Sequence, residues 1–514
     1  MTDRPVLIAG GGPVGLTAAL LLARHGVPTV VLEAAPERDI VGSKSICVQR
    51  DVLDIYHRVG VADALTAEGV RWQTARTFYR NRELFTVRLP DHGGSAYPAF
   101  INVPQSSVER ELERVVRATP LVDLRYGHRV HALSQDDESV TVRASTADGD
   151  VELNGSHLIA ADGPRSAVRG VLSLDFDGHT YDDLFLIADI RADLPFPAER
   201  HFHFDPEWNP GRQVLVHPQP SRTWRIDWQV PGGFDLAEQQ ARGALDERIR
   251  RITVDVPYEV AWVTLYRFHQ RMASRLLVGR VLLAGDAAHL MAPFGARGLN
   301  SGIADAENAA WKIAFHRRGW AGPDLLASYE HERMAAAAEN LRVTGDTMRF
   351  LVPHTDAERA YRREVLDRAI TDVDARALVN SGKLAEPYWY VDSPLTTGRP
   401  PAEFPTSPGA NRPPVAGVLC PDVRLHSGRL RELFGPNFAV LSYGVDVAVP
   451  PDVPVDVYAI ERLADDPTIA TELHATPGWC AVVRPDGHFA AVLRSPTPTD
   501  VLCAIRRACG HGPR

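Results

Sequence analysis

Residues 5–33 read PVLIAGGGPVGLTAALLLARHGVPTVVLE, and the order of elements in this stretch decides the fold. PVLIAG is a short apolar run ending in glycine, LTAALLLARHG carries apolar residues on a helical period, and PTVVLE reads as a second buried strand. Strand, tight turn, helix and strand in this order is the setting that a dinucleotide-binding fingerprint requires. Gly10, Gly12 and Gly15 match G-x-G-x-x-G, with Pro13 and Val14 opening the helix. In that pattern the first glycine permits the turn, the second lets the backbone approach a pyrophosphate, and the third lets helix and strand pack closely. The free N–H groups of the helix N-terminus then face the phosphates. Glu33 ends the second strand, where an acidic side chain accepts hydrogen bonds from ribose hydroxyls and repels a 2′-phosphate.

Outward from this unit, the 514 residues exceed what one hydrophobic core organises, so several domains are expected. A formal net charge of -9 gives no reason to expect a nucleic-acid or acidic-membrane partner. No apolar run reaches the length of a membrane span and the opening MTDRPVLIAG has no signal-peptide pattern, which points to a cytoplasmic protein. The five cysteines contain no C-x-x-C pair, so neither a metal site nor a dithiol redox centre is signalled.

Along the chain, residues 104 to 118 predict an amphipathic helix and residues 121 to 160 hairpin strands leading into HLIAA. Between 172 and 278, runs such as RHFHF, RQVLVH and RTWRIDWQV separated by Pro and Gly predict antiparallel sheet. RVLLAG then restores a buried-strand pattern. Leu299, Ile303, Ala306, Ala310, Ile313 and Ala314 predict a long helix after it, and 324 to 350 another. Seven prolines between 394 and 414 mark a linker. The last hundred residues form a separate module with a hairpin at CAVVRPDGHFAAVLR and a final helix near 498 to 509. The segments are therefore 1–171 and 279–393 as one nucleotide-binding body, 172–278 as an inserted β-rich domain, 394–414 as linker, and 415–514 as the C-terminal module.

A second glycine-rich turn, GDAAHLMAPFGARGLN at 285 to 300, poses the question of whether the chain binds two nucleotides or grips one long cofactor twice. Three motifs in order, GGGPVG with Glu33, then HLIAADGPRSAVR at 157 to 169, then this turn, resemble the flavin-dependent aromatic hydroxylases of the para-hydroxybenzoate hydroxylase type. The resemblance implies an α/β fold: a Rossmann-like FAD-binding domain with an inserted antiparallel-sheet substrate domain, followed by a thioredoxin-like C-terminal α/β domain. It also implies one FAD held at both ends. Asp286, after Gly285, would bond the ribityl chain, and the turn from Pro293 through Gly298, Leu299 and Asn300 would lie against the flavin ring. Backbone N–H groups at the start of the long helix would stabilise negative charge on reduced flavin there. Asp162 belongs to a fingerprint serving FAD and the nicotinamide cofactor. Gln105 matches a flavin-side position, and Lys44 stands where many relatives carry an arginine, keeping the charge without the planar fork.

No second G-x-G-x-x-G occurs, so NADPH or NADH would bind only transiently, with Arg165 or Arg169 meeting its phosphates. The activity implied by the resemblance is hydroxylation of a small aromatic, phenolic substrate by O₂ through a flavin C4a-hydroperoxide. The alternatives are a dehydrogenase or oxidase on the same fold and a non-catalytic FAD-binding redox sensor. Substrate residues are expected on the β-rich segment: Gln213, Leu215 and His217 share one face of their strand, and Arg225, Asp227 and Gln229 one face of theirs, one of the two looking into the pocket. His289 is read as structural. The C-terminal module lacks a redox cysteine pair, which favours packing or a homodimer contact over electron transfer.

Overall fold

The computed structural model describes residues 4–38, 45–89, 95–254, 256–405, 412–426, 428–463 and 468–512. Lys44 lies outside these residues. The apolar run Val6–Ala9 is buried on both faces and stands near the middle of a six-stranded sheet. It pairs in parallel with Thr29–Leu32 on one side and His157–Ala160 on the other. His157–Ala160 in turn pairs with Val281–Leu283, and Thr29–Leu32 with Val122–Arg125. The central strands meet although far apart in sequence because each is short, mostly apolar and buried, the pattern of parallel strands covered on both faces, while the edge strand Val122–Arg125 is polar and less buried. Helices Pro13–Arg24 and Gln105–Arg117 cover the sheet on one flank together with Arg297–Arg317, whose Ile303, Ala306, Ala310 and Ile313 join the same core.

The second sheet has eight strands in the order 289–290, 258–273, 176–192, 223–230, 213–219, 200–204, 74–79 and 82–88. It departs from the segment boundaries drawn from sequence. Thr74–Tyr79, from the first segment, pairs in parallel with Arg200–Phe204 and is followed by Arg82–Arg88 as the edge. The period-two burial of TARTFY becomes meaningful only against a partner more than 120 residues away, and the arginine-rich edge strand is mostly exposed. The stretch 172–278 also holds two helices, Leu236–Ala241 and Ala244–Thr253, which pack Leu245, Ile249 and Ile252 against the sheet's outer face.

Helix Ala327–Leu351 starts beside the C-terminal module, where Glu332 bonds Arg484, and ends in the aromatic core of the large sheet, where Phe350 meets Phe204. That module is a four-stranded sheet ordered 455–459, 438–443, 479–483, 489–494, the first pair parallel and the others antiparallel, with helix Pro498–Ala508 after it. It shares a core with the nucleotide-binding body: Trp311 and Phe315 of the long helix pack with Phe438, Val440, Val482 and Ile505. No helix among the described residues is long and apolar enough to cross a membrane.

Candidate functional site

Two of the fingerprint glycines are dictated by the protein itself. Gly10 has φ +102°, and a Cβ there would stand 2.3 Å from the carbonyl oxygen of Ala161. At Gly15 a Cβ would fall 2.0 Å from the oxygen of Gly10, so helix and strand approach to a distance only hydrogen allows. Gly12 differs: nothing in the protein lies within 4 Å of where its Cβ would be, and it lines a cavity of about 650 Å³. The space left open at Gly12 is the cradle a pyrophosphate requires, so the residues fit the FAD that their sequence pattern implies. Glu33 turns into this loop and accepts the N–H of Gly11 at 2.7 Å and of Ala35 at 2.8 Å. Its carboxylate thus shapes the loop, each oxygen retaining a lone pair for a ribose hydroxyl.

The same cavity runs from Gly12, Pro13 and Val14 past Gln105 to Gly285, Asp286, Pro293, Gly298 and Leu299. Ala296, in left-handed conformation at φ 57°, precedes helix Arg297–Arg317, so the first N–H groups of that helix have no intrahelical partner. The helix macrodipole places partial positive charge at that end of the cavity. Arg297 itself is drawn away, bonding Asn340 Oδ1 at 2.5 Å and the carbonyl of Leu384 at 3.0 Å.

The other sequence-selected residues are divided between the cavity and its surroundings. Asn300 faces away from the cavity, its Oδ1 accepting the N–H of Gln49 at 3.1 Å and its Nδ2 donating to the carbonyl of Cys47 at 3.0 Å. Asp162 accepts the N–H of Val168 at 3.1 Å, which caps a short helix, while its Oδ1 is buried without a partner. Arg169 is committed to the carbonyls of Ala287 at 2.9 Å and Pro164 at 2.8 Å and lies 3.8 Å over the Phe176 ring, so it serves the turn rather than a transient phosphate. Arg165 is exposed. Gln105 joins Glu109 at 2.8 Å and accepts the N–H of Ser45 at 3.3 Å.

On the sheet side, strand register settles the question of two faces. His217 pairs with Arg225 and Leu215 with Asp227 across adjacent antiparallel strands, so both sets share one face, and that face lines the cavity. Gln213 and Gln229 are the exceptions: Gln229 is buried outside the cavity and donates to Asp183, and Gln213 stands beside it. Gln213 lies on the same face but outside the cavity, buried with both side-chain polar atoms unpartnered, because the face continues past the pocket into the aromatic core. Arg225 is held by Asp189 through Nε and Nη2, both at 2.7 Å. Burial raises the Asp227 carboxyl to about 7, with Asp189 adding to the rise and Arg225 opposing it. Burial holds the His217 imidazole far below its ordinary value, helped by Arg200 and Arg225, so the ring is neutral. Phe185, Phe268 and Phe294 form an aromatic wall, with the first two rings 4.3 Å apart and Phe268 and Phe294 5.9 Å apart.

Three residues of the site escaped sequence reading. Arg200 lines the cavity beside His217, donates to the carbonyl of Ser381 at 2.6 Å, and is pulled down to about 10 by burial. Nothing periodic singles out one arginine at the head of RHFHF. Asp305 and Arg333 stand behind the second glycine turn. Asp305 accepts the N–H of Gly285 at 2.9 Å, His289 Nε2 lies 2.8 Å from it, and Arg333 Nε donates to it at 2.6 Å. Burial alone would raise Asp305, but Arg333 and His289 outweigh it and hold the carboxylate low. The signal was present in the sequence: an acidic residue inside the apolar stripe between Ile303 and Ala306.

Residues 3–344 match the family model described as "FAD binding domain". The chain is 32% identical over 372 residues to a 3-(3-hydroxy-phenyl)propionate/3-hydroxycinnamic acid hydroxylase of Comamonas testosteroni, covering 71% of this chain and 61% of that enzyme's length. It is 31% identical to the para-nitrophenol 4-monooxygenase of a Pseudomonas strain, covering 64% and 82% of the two chains. Its fold is similar to that of the flavin-dependent monooxygenase PieE, solved with FAD and substrate, at TM-score 0.83 and 24% identity over 99% of this chain and 100% of that one.

Proposed function

Because the chain belongs to the FAD-binding-domain family and is an FAD-dependent monooxygenase of the aromatic-hydroxylase type, we propose that it hydroxylates a phenolic ring carrying an acidic substituent, with Asp227 as the base. The observation that carries this reading is the single cavity joining the loop at Gly12 to the polar sheet face of His217, Arg225 and Asp227. Bound FAD supplies hydride acceptance from NAD(P)H and activation of O₂, one oxygen atom entering the ring and the other leaving as water.

The chain's own residues then have distinct tasks. Asp227, poised near neutral pH, takes the proton of the ring hydroxyl as the ring becomes electron-rich. Neutral His217 orients that hydroxyl, its Nδ1 having no partner in the protein. Arg200, which no carboxylate among the described residues pairs, receives the acidic substituent. The propionate named in the Comamonas relative's substrate supports such a group. The wall of Phe185, Phe268 and Phe294 excludes water, which would otherwise divert reduced flavin and O₂ to hydrogen peroxide. We read the C-terminal module as thioredoxin-like from its strand order and directions; its Cys420, Cys480 and Cys509 are buried, its Cys503 is exposed and none is paired, and its part is docking rather than electron transfer.

The test is a panel of phenols, with and without a carboxylate, scored for stimulated NAD(P)H oxidation with peroxide measured alongside. Stimulation with little peroxide supports the reading. NAD(P)H oxidation that no phenol changes contradicts it.

A further inference from the structure

Beyond the cavity, a buried polar assembly lies where helix Ala327–Leu351 passes between the second glycine turn and the C-terminal module. Arg484 of the module is wholly buried and donates to Glu332 at 2.6 Å and 2.9 Å and to Asp486 at 3.1 Å. Lys312 reaches the same Glu332 at 2.7 Å, and Trp311 Nε1 reaches Asp486 at 3.1 Å. The next residue on the helix, Arg333, belongs to the flavin side: besides Asp305, it donates to the carbonyl of Ser301 at 3.2 Å.

One residue bridges the two halves. The Tyr390 hydroxyl accepts from Arg333 at 2.9 Å, while its ring carries the Arg484 guanidinium 4.8 Å from its centroid and the His488 ring at 4.5 Å. The path therefore runs from Arg484 and His488 to Tyr390, to Arg333, to Asp305, and ends on the N–H of Gly285. Its side branch ends on Ser301, in the second turn of the helix whose N-terminus lines the cavity. Every member is buried, so each bond forms in low dielectric. Packing alone would dock the module without such a chain, since Phe438, Val440 and Ile505 already cover Trp311 and Phe315. A polar path that ends on the N–H of Gly285 in the cavity wall, with a branch to the carbonyl of Ser301 in the helix behind it, has a further consequence: it fixes where that wall stands.

We infer that Tyr390 and Arg333 are positioning residues through which the docked C-terminal module sets the placement of the flavin-facing turn at Gly285 and Asp286. This rests on the reading that FAD occupies the cavity. It assigns the module a part in coupling oxygen activation to hydroxylation, although none of its described residues lines the cavity.

The experiment uses the full-length, FAD-loaded enzyme. Tyr390→Phe removes the oxygen that accepts from Arg333 and, at 3.4 Å, from Asn308, and keeps the ring; Arg484→Gln and Arg484→Lys probe the module's end. FAD content, the visible spectrum of the bound flavin, and peroxide released per NAD(P)H oxidised in the presence of a stimulating phenol are measured. Tyr390→Phe is expected to retain FAD, to shift the flavin band, and to raise the peroxide fraction about threefold or more. Arg484→Gln is expected to move the same readouts in the same direction, with Arg484→Lys recovering part of the loss. Variants that melt earlier but keep the wild-type spectrum and peroxide fraction would overturn the inference and leave a purely structural network. Wild-type protein that binds no FAD would overturn the underlying reading as well, and the two failures are distinguished by the FAD content alone.

Discussion

Replacing Asp227 by asparagine separates what this carboxyl does for the reaction from what it costs the fold. Burial holds its pKa at about 7 against an ordinary 3.8, so the folded protein binds this proton more tightly than the unfolded chain does. Stability therefore falls as pH rises from about 4 to about 7, the reverse of the usual carboxylate, because the folded state must give up a proton it prefers to keep. At about 1.4 kcal/mol per tenfold in proton affinity, the penalty has a ceiling of roughly 4 kcal/mol at pH 8. Asp227 keeps part of its surface toward the cavity, where water screens the charge, so about half of that ceiling is expected. Asparagine does not ionise. Asp227→Asn should thus gain under ~1 kcal/mol over wild type near pH 5 and about 2 kcal/mol near pH 8, offset by a pH-independent amount for its amide. Urea unfolding of the FAD-saturated proteins, followed by tryptophan and flavin fluorescence at several pH values, measures the difference. Hydroxylation should fall about 100-fold or more in the same variant. A stability difference that stays constant across pH would show that Asp227 ionises normally and would remove it as the base.

Other sites give sharper contrasts. Gly12→Ala should fold normally but lose FAD affinity about tenfold or more, whereas Gly15→Ala should lose about 1–3 kcal/mol of stability, because only the second methyl meets protein atoms; paired FAD titration and thermal melts check both. Arg200→Gln should raise the half-saturating concentration of carboxylated phenols about tenfold and leave neutral phenols unchanged, read by NAD(P)H oxidation. An equal effect on both classes would assign Arg200 to the flavin instead. Glu332→Gln leaves Arg484 and Lys312 facing a neutral amide, and a loss of about 3–5 kcal/mol is expected in denaturant unfolding. The Glu332 carboxylate is held far below its ordinary value by Arg484 and Lys312 against the opposing effect of burial, so its contribution is present above the ordinary carboxylate range and is lost only in strong acid.

The nucleotide-binding body was legible because its information is local. Val6–Ala9, the glycine loop and Thr29–Leu32 are consecutive, and the spacing of Gly10 and Gly15 records contacts made within that unit. The long helix was legible from the period of Ile303, Ala306 and Ala310. What sequence did not yield is pairing. TARTFY alternates like a strand, yet its place beside Arg200–Phe204 depends on a partner brought in by the folding of everything between. The two polar faces merged into one because register across antiparallel strands is fixed by their turn, a fact no single strand contains. Gln213 illustrates the converse: alternation places a side chain on a face correctly but does not say where along the strand the cavity ends. Arg200 and Tyr390 act through neighbours supplied by other segments, and neither carries a local pattern.

The most direct test of the central claim supplies purified, FAD-loaded enzyme with NAD(P)H, a stimulating phenol and isotopically labelled dioxygen, followed by mass spectrometry of the product. The account predicts one labelled oxygen atom in each hydroxylated ring. Product that takes its oxygen from water, or NAD(P)H oxidation that delivers all of the label to peroxide, would contradict it.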